Sequence, residues 1–369
     1  MLFRSAAVQL RRRGVADVRI LTERLSGGTS VNTGSDKQTY YKLSLSGADA
    51  DSPRLMANDL FAGGGMPGDL ALIEAAASAR AFLNLVELGV DFPRDRFGQF
   101  VGYRTDHSTV RRATSVGPYT SRDMCLRLID EVNRLAIPVD EDRTVVELAT
   151  IPNDSPESNR PTRVCGAVAA DSHGNLFPYS ADHIVFAVGG PGGLYDASVY
   201  PAVHTGAIGL ALLIGASARN LPDSQFGLAS VDVRWNVSGS YMQVIPRLFS
   251  AQPDGSDARE FLLDAFDTPA DAHSALFRKG YEWPFDARKA ATGSSLIDLL
   301  VYRETVERRR DVLLDFRSNP SGFSVDALAA DAREYLVRSN SLGKTPIERL
   351  RQMNRSEEHT SELQSRQVI

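Results

Sequence analysis

Hydrophobic and polar positions along this chain switch between a helical and a strand period. Ala6–Arg13 carries Val8 and Leu10 among good helix formers, and Gly14 supplies a stop. A much longer helical pattern, "GDLALIEAAASARAFLNLVELGVDFPRD", closes at Gly89 and the turn at Pro93. "SRDMCLRLIDEVNRLAIPV" sets Met124, Leu128, Val132 and Leu135 on one face of a further helix that leads to a strand. "DVRILTE", "RTVVELAT" and "HIVFAV" have strand character. The last, with Ile184–Ala187 and Val188 apolar throughout, predicts a buried strand that enters a loop of four glycines and a proline. "IPNDSPESNRPTR" predicts an exposed hairpin loop between strands. From about Gln225 the pattern turns irregular and aromatic, which predicts a smaller second domain.

Composition narrows this picture only a little. With 369 residues, 43% of them hydrophobic, the chain can bury two cores. A net charge of −5 and short basic runs leave no electrostatic footprint for nucleic acid. The two cysteines, Cys125 and Cys165, sit among apolar neighbours and are expected to be buried thiols in a reducing compartment, so the expected location is cytoplasmic. "GAIGLALLIGASA" is too short to span a bilayer.

The glycines raise the chemical question. A strand ending in glycine lets backbone lie close to a ligand, since no side chain holds the ligand away. The loop after Val188 lacks the Lys-Ser/Thr ending of a P-loop, and the chain does not open with a G-x-G-x-x-G of its own. It does have a helix, tight turn and strand ending in Glu23, the second half of a βαβ unit whose terminal acid bonds ribose hydroxyls. "SGGTSVNTGSDK" follows, with hydroxyls and amides that can donate to pyrophosphate oxygens without a full charge. Read alone, the same loop also suits a polar surface turn.

The two ends read differently from the rest. Arg355–Ser365 matches the translation of a common sequencing-library adapter, and "MLFRS" matches the opposite adapter arm. Residues 1–5 and 355–369 are therefore set aside. The expected protein segment is Ala6–Asn354, cut at both ends, which accounts for the missing first glycine motif.

"LTERLSGGTSVNTGSDKQTYYKL", "HIVFAVGGPGGLYDASVYPAVHTGAIGLALLIGA" and "GSSLIDLLVYRETVERRRDVLLDFRSNP" occur in order and resemble the FAD-binding flavoprotein family of fumarate reductases and succinate dehydrogenases, closest to its less characterised bacterial branch. The resemblance covers most of Ala6 to about Pro320. It implies FAD as cofactor. It also implies that Glu23 bonds the adenosine ribose with Arg24 beside it, and that Gly28, Thr29, Ser30, Asn32, Thr33, Gly34 and Ser35 line the pyrophosphate and the approach to the flavin. The backbone near Val146 would face adenine, and Gly189 and Gly190 would pass tightly against FAD. The long helix from Gly68 resembles the one that passes beside the flavin.

The chain departs from the family's chemistry at several points. Val188 stands where threonine is usual, and Ala207 replaces an acid. Gly227 occupies the place of a histidine after Gln-Phe, and Ser295 falls near the place of a proton-donating arginine. No histidine is placed for covalent flavin attachment; Thr29 and Ser30 occupy that loop. Fumarate or succinate chemistry is therefore not expected. The remaining donors lie in "YRTDHSTVRRATS", where Arg104, His107 and Arg112 could orient a carboxylate and shuttle a proton. A solvated loop with local ion pairs is the competing reading of that segment. His204 could contact flavin backbone, whereas His173, His183 and His273 read as surface or strand residues. No spacing of metal ligands occurs, so no metal is expected.

The expected fold is α/β: a Rossmann-like FAD-binding domain (6–224) lacking its first strand, with a partial α+β capping domain (225–354). The expected function is a soluble FAD-dependent oxidoreductase that moves hydride between flavin and a small, carboxylate-bearing substrate, with an electron-transfer partner. The alternative is a non-catalytic subunit that holds FAD for a partner enzyme. An NAD-only dehydrogenase is disfavoured by the second glycine strand at Gly189.

Overall fold

The computed structural model describes residues 1–34, 38–47, 49–105, 108, 110–153, 160–190, 192, 207–219, 226–230 and 235–356. The chain divides into two compact units, Met1–Asp223 and Ser224–Ile369.

The first unit opens with helix α1 (Leu2–Arg12), which starts ahead of the Ala6 expected from the pattern and buries Arg4, Ala7 and Val8. Gly14 at φ +87° turns the chain out of it. Strand β1 (Ile20–Leu21) follows, then the short helix α2 (Thr29–Asn32) and β2 (Tyr40–Tyr41). Helices α3 (Pro53–Ala62) and α4 (Gly68–Glu87) come next, then β3 (Ala113–Thr114), α5 (Thr120–Arg134) and β4 (Val139–Asp140). β1 and β4 pair in parallel, Ile20 opposite Val139. The stripes of α1, α4 and α5 close over β1: Val8, Phe82, Met124, Leu128 and Val132 share one core with Ile20. Phe82 anchors it, its ring 4.7 Å from Phe92 and edge-on to Phe100 at 5.0 Å. Met124, expected in the core, lies there.

Strands β5 (Thr144–Pro152), β6 (Thr162–Ala170) and β7 (Leu176–Ser180) form an antiparallel meander, and α6 (Ile208–Leu213) follows. Two expectations fail in this unit. Residues 183–190 form no regular strand; Val185 and Val188 are 58% and 40% exposed. An apolar run becomes a buried strand only when neighbours pair with it and cover both faces, and none of the described strands does so here. Cys165 is only half-buried, on the meander, whereas Cys125 is buried on α5; both thiols are free.

The second unit runs through β8 (Ala229–Ser230), β9 (Trp235–Asn236), α7 (Ser240–Gln243), β10 (Arg247–Ala251) and α8 (Pro269–Lys279). It continues with α9 (Ser294–Tyr302), β11 (Asp311–Asp315), α10 (Ala330–Arg338) and α11 (Pro346–Ser356). β10 and β11 pair antiparallel over a core that includes Phe261, Phe277 and Ile297. Thr268 caps α8 by accepting from the N–H of Asp271 at 3.2 Å, and Pro269 fills the first helical position.

His273 is a third correction. It is no surface or strand residue but lies inside α8 at 2% exposure, its Nδ1 without a partner among the described residues. Burial pushes its pKa from 6.5 down to about 4. The imidazole is neutral in the folded unit, while the unfolded chain takes up a proton below pH 6.5. Its contribution to stability is therefore whole above that pH and is lost as pH falls towards 4, by up to about 1.4 kcal/mol per pH unit. We expect His273→Phe to lose this part of the pH slope in thermal unfolding. Identical slopes in variant and parent would contradict the assignment.

Among the described residues no helix is long and apolar enough to cross a membrane, and no group of three or more His, Cys, Asp or Glu could hold a metal.

Candidate functional site: a dinucleotide cradle and a carboxylate cage

Where β1 ends, the chain is zipped to the segment joining β4 and β5. The N–H of Arg143 donates to the Thr22 carbonyl at 3.2 Å, and that of Asp142 to the Glu23 carbonyl at 3.0 Å. Thr144 Oγ1 donates to Glu23 Oε1 at 3.0 Å, and Glu141 Oε1 accepts from the Leu25 N–H at 2.6 Å. Glu23 thus stands exposed at the strand end, with its second oxygen unengaged among the described residues. Two residues past Thr144, the β5–β6 register passes from Val145 opposite Ala169 to Glu147 opposite Val168. Val146 is skipped, a bulge residue without a partner in the ladder and 46% exposed. Glu23 and the backbone of Val146 are therefore brought to one end of the β1/β5 junction.

The loop after Glu23 leads to α2. The Arg24 carbonyl accepts from the Gly27 N–H at 3.0 Å, closing a turn. Gly28 then stands extended at the N-cap of α2, gives no side-chain cap and has open space where a Cβ would sit. The first N–H groups of α2, Thr29 and Ser30, have no acceptor among the described residues. Asn32 and Thr33 shape the loop instead: Asn32 Nδ2 donates to the carbonyls of Ser26 and Gly28, and Thr33 Oγ1 to that of Thr29. Gly34 is glycine for a packing reason, since a Cβ there would meet the Tyr119 ring at 2.6 Å. Gln38 was missed by the pattern. Its amide donates to the Thr33 carbonyl at 3.2 Å and accepts from the Ser121 N–H at 2.8 Å, clamping the loop to the first turn of α5. Ser35 lies outside the described residues. Gly189 takes φ +91°, the left-handed region that favours glycine, and Gly190 beside it is exposed.

The basic segment takes a different part from the one expected. Arg112 is fully buried inside a cage. Its Nε and Nη2 pair in bidentate fashion with Asp51 at 3.0 and 2.7 Å. Its Nη1 reaches Tyr41 Oη at 3.1 Å and Asp59 Oδ2 at 2.5 Å. Such a guanidinium is engaged by Asp51, Tyr41 and Asp59 through all three of its nitrogens. Burial opposes the charge, but bonds to Asp51, Tyr41 and Asp59 outweigh it and raise the Arg112 pKa. Burial likewise pushes the Asp51 carboxyl up, and the bonds from Arg112 and the N–H groups of Ser44 and Ser52 outweigh it, leaving it below its ordinary range. Arg104, an exposed side chain, donates to Asp49 at 3.2 Å, and Arg111 to the same carboxylate at 2.9 Å. Hydrogen bonds from Arg111, then Arg104, hold Asp49 well below the usual carboxylate range. His107 lies outside the described residues. The local ion-pair reading of this segment is the one its described arginines follow.

The carboxylates come from α3 and the turn before it. Ser52 caps α3 by accepting from the Leu55 N–H at 3.2 Å, with Pro53 at the first helical position. That cap fixes Asp51 just outside the helix, and Asp59 lies two turns in. The paired acids Asp49 and Asp51 before a capping Ser-Pro were the available signal.

A parallel β1/β4 pair, an acid just past β1 and a glycine-opened helix start are features of a dinucleotide-binding fold. The chain belongs to the FAD binding domain family, whose pattern matches residues 4–248, and FAD is its cofactor. It is 32% identical over 175 residues to an L-aspartate oxidase of Agrobacterium fabrum, covering 46% of this chain and 32% of that protein. It is 28% identical over 196 residues to an L-aspartate oxidase of Mesorhizobium japonicum, covering 52% and 36%. The matches thus span about a third of the length of these relatives. Among solved structures, a quinol-fumarate reductase with menaquinol molecules matches at TM-score 0.60 and 16% identity, over 94% of this chain and 57% of that one. Sdh1 of Mycobacterium smegmatis in complex with UQ1 matches at TM-score 0.56 and 16% identity, over 83% and 54%. These likenesses are of fold. The cradle fits FAD in kind: a carboxylate oxygen free among the described residues for a diol, uncapped N–H groups for phosphate, and open space at the Gly28 Cβ position.

Proposed function

We propose that the chain contributes the flavin-holding part of an oxidoreductase that moves hydride between FAD and a small carboxylate-bearing substrate, with a separate electron acceptor. The observation that carries this is the zipped end of β1, where Glu23 keeps a carboxylate oxygen free among the described residues, with the Val146 bulge just beyond the zipped segment and the uncapped α2 start in the loop that follows. Bound FAD supplies the redox chemistry through its own ring. Glu23 would accept from the adenosine ribose hydroxyls, and its bond from Thr144 fixes the carboxylate for that task. The N–H groups of Thr29 and Ser30 would hold pyrophosphate oxygens, and the unpaired backbone of Val146 would meet adenine. Gly189 and Gly190 would let the chain pass close to the cofactor. Nothing in the described cage puts Arg112 or Arg104 on substrate, and we assign both to holding the cradle's neighbouring loops.

A carboxylate-bearing substrate is supported by the two L-aspartate oxidase relatives. Fumarate and succinate are disfavoured. Ser295, near the place of the family arginine, is fully buried, and its Oγ accepts from the Asp286 N–H at 2.9 Å. The second unit is read as a partial capping domain.

The test is direct. Flavin released from the purified protein should be FAD. Glu23→Ala should weaken FAD binding about tenfold to a hundredfold, the worth of a hydrogen bond to a charged group, while Arg24→Ala changes it far less. Unchanged affinity in Glu23→Ala would remove the assignment.

A further inference from the structure

In the second unit, residues 226–228 run beside residues 283–285. The Phe285 N–H donates to the Phe226 carbonyl at 2.7 Å, and Trp283 Nε1 donates to the Leu228 carbonyl at 2.7 Å. The Phe226 and Phe285 rings stack, 4.8 Å apart and 15° from parallel. Between Phe226 and Leu228 stands Gly227, where a Cβ would meet the Trp283 carbonyl at 2.6 Å and its indole ring at 2.9 Å. No side chain fits there. The position that carries a polar histidine in the resembling enzymes is thus closed to any side chain, and the Phe226 ring before it and the Trp283 indole against it are aromatic.

Phe226 is nevertheless 55% exposed, although its partner Phe285 is half-buried. One face of the stack is committed to Phe285. The other is free among the described residues to receive a further flat group, the arrangement that aromatic quadrupoles favour when offset. The indole N–H is already spent on Leu228, so the surface offers shape and π-contact with little polar recognition. We infer that Phe226, Trp283 and Phe285 form a shelf for a planar, unsaturated or aromatic ring in the substrate. This deepens the oxidoreductase reading and rests on it only for calling the ring-bearing molecule a substrate. A dicarboxylate without a ring gains nothing from such a shelf, because its charged ends find no donor on it.

The probe is trans-cinnamate, which keeps the double bond and one carboxylate of fumarate and replaces the other carboxylate by a phenyl ring. Binding of cinnamate, fumarate and succinate to the purified chain is followed by calorimetry, and flavin content is measured separately on the same samples. Cinnamate should bind more tightly than either dicarboxylate. Phe226→Ala, a change at a half-exposed position, should weaken cinnamate binding by about threefold to tenfold and leave circular dichroism and flavin content unchanged. Phe226→Tyr, which keeps a ring, should retain it. Protein that holds FAD yet binds cinnamate no tighter than fumarate overturns the shelf and leaves the flavoprotein reading standing. Equal cinnamate affinity in Phe226→Ala also overturns it. Protein without FAD strikes instead at the earlier reading.

Discussion

Replacing Asp51 by alanine should destabilise the first unit by about 3 kcal/mol or more, the usual loss when one partner of a buried ion pair is removed. The Arg112 side chain is 0% exposed and that of Asp51 3% exposed, so water cannot take over the lost bonds. Asp59 remains, but its side chain is half-exposed and reaches only Nη1. The substitution also strips an acceptor from the Ser44 N–H, which donates to Asp51 at 2.9 Å. Asp51→Asn should cost less, since it keeps the shape and one acceptor. Replacing both Arg112 and Asp51 by leucine should recover only part of the loss, because the Arg112 charge is gone but the buried Lys42 loses the carboxylate that opposes its desolvation. Urea unfolding that resolves the first unit's transition decides this. A shift in Asp51→Ala worth less than about 1 kcal/mol, the range of exposed pairs, would show that the cage is not what holds these loops.

The second large effect is expected in the other unit. Lys279 and Asp298 form a fully buried pair at 2.5 Å, joining α8 to α9. Asp298 Oδ1 has no partner among the described residues. Burial pushes the Asp298 carboxyl up to about 6, against the pull of Lys279. Lys279→Met removes the one charge that opposes this rise. The carboxylate must then either stay ionised without a partner or take up a proton. We expect a loss of about 3–5 kcal/mol where Asp298 would be ionised. The sign with pH follows: a carboxyl whose folded pKa is raised loses stability as pH rises from its unfolded value through the folded one. The deficit of Lys279→Met should therefore be larger near pH 8 than near pH 5, and Lys279→Met with Asp298→Leu should restore stability at both. A deficit equal at the two pH values would contradict the buried-charge account.

How much of this was legible beforehand depends on how far apart the partners lie in the chain. Helix α4, helix α5 and the α1–Gly14–β1–Glu23 unit follow from local period and stop residues, and they stand nearly where the pattern puts them. The pattern also marks the loop at Gly28–Gly34, although it does not show that Asn32 and Thr33 serve the loop itself or that Gly34 yields to Tyr119. The failures share one cause. Arg104, Arg111 and Arg112 look like free donors when read in their own segment; their counter-ions Asp49, Asp51 and Asp59 lie some fifty to sixty residues earlier. His273 looks polar until the helix buries it against Phe323. Ile184–Val188 carries the composition of a covered strand, but coverage belongs to neighbours that the run itself does not contain.

The central claim is that the first unit holds FAD across the β1/β5 junction. The measurement that bears on it most directly is a crystal structure of the FAD-loaded protein. In it the adenosine ribose hydroxyls should lie on the Glu23 carboxylate, pyrophosphate oxygens on the N–H groups of Thr29 and Ser30, and adenine against the backbone at Val146. FAD bound with Glu23 facing solvent and the pyrophosphate away from α2 would contradict it.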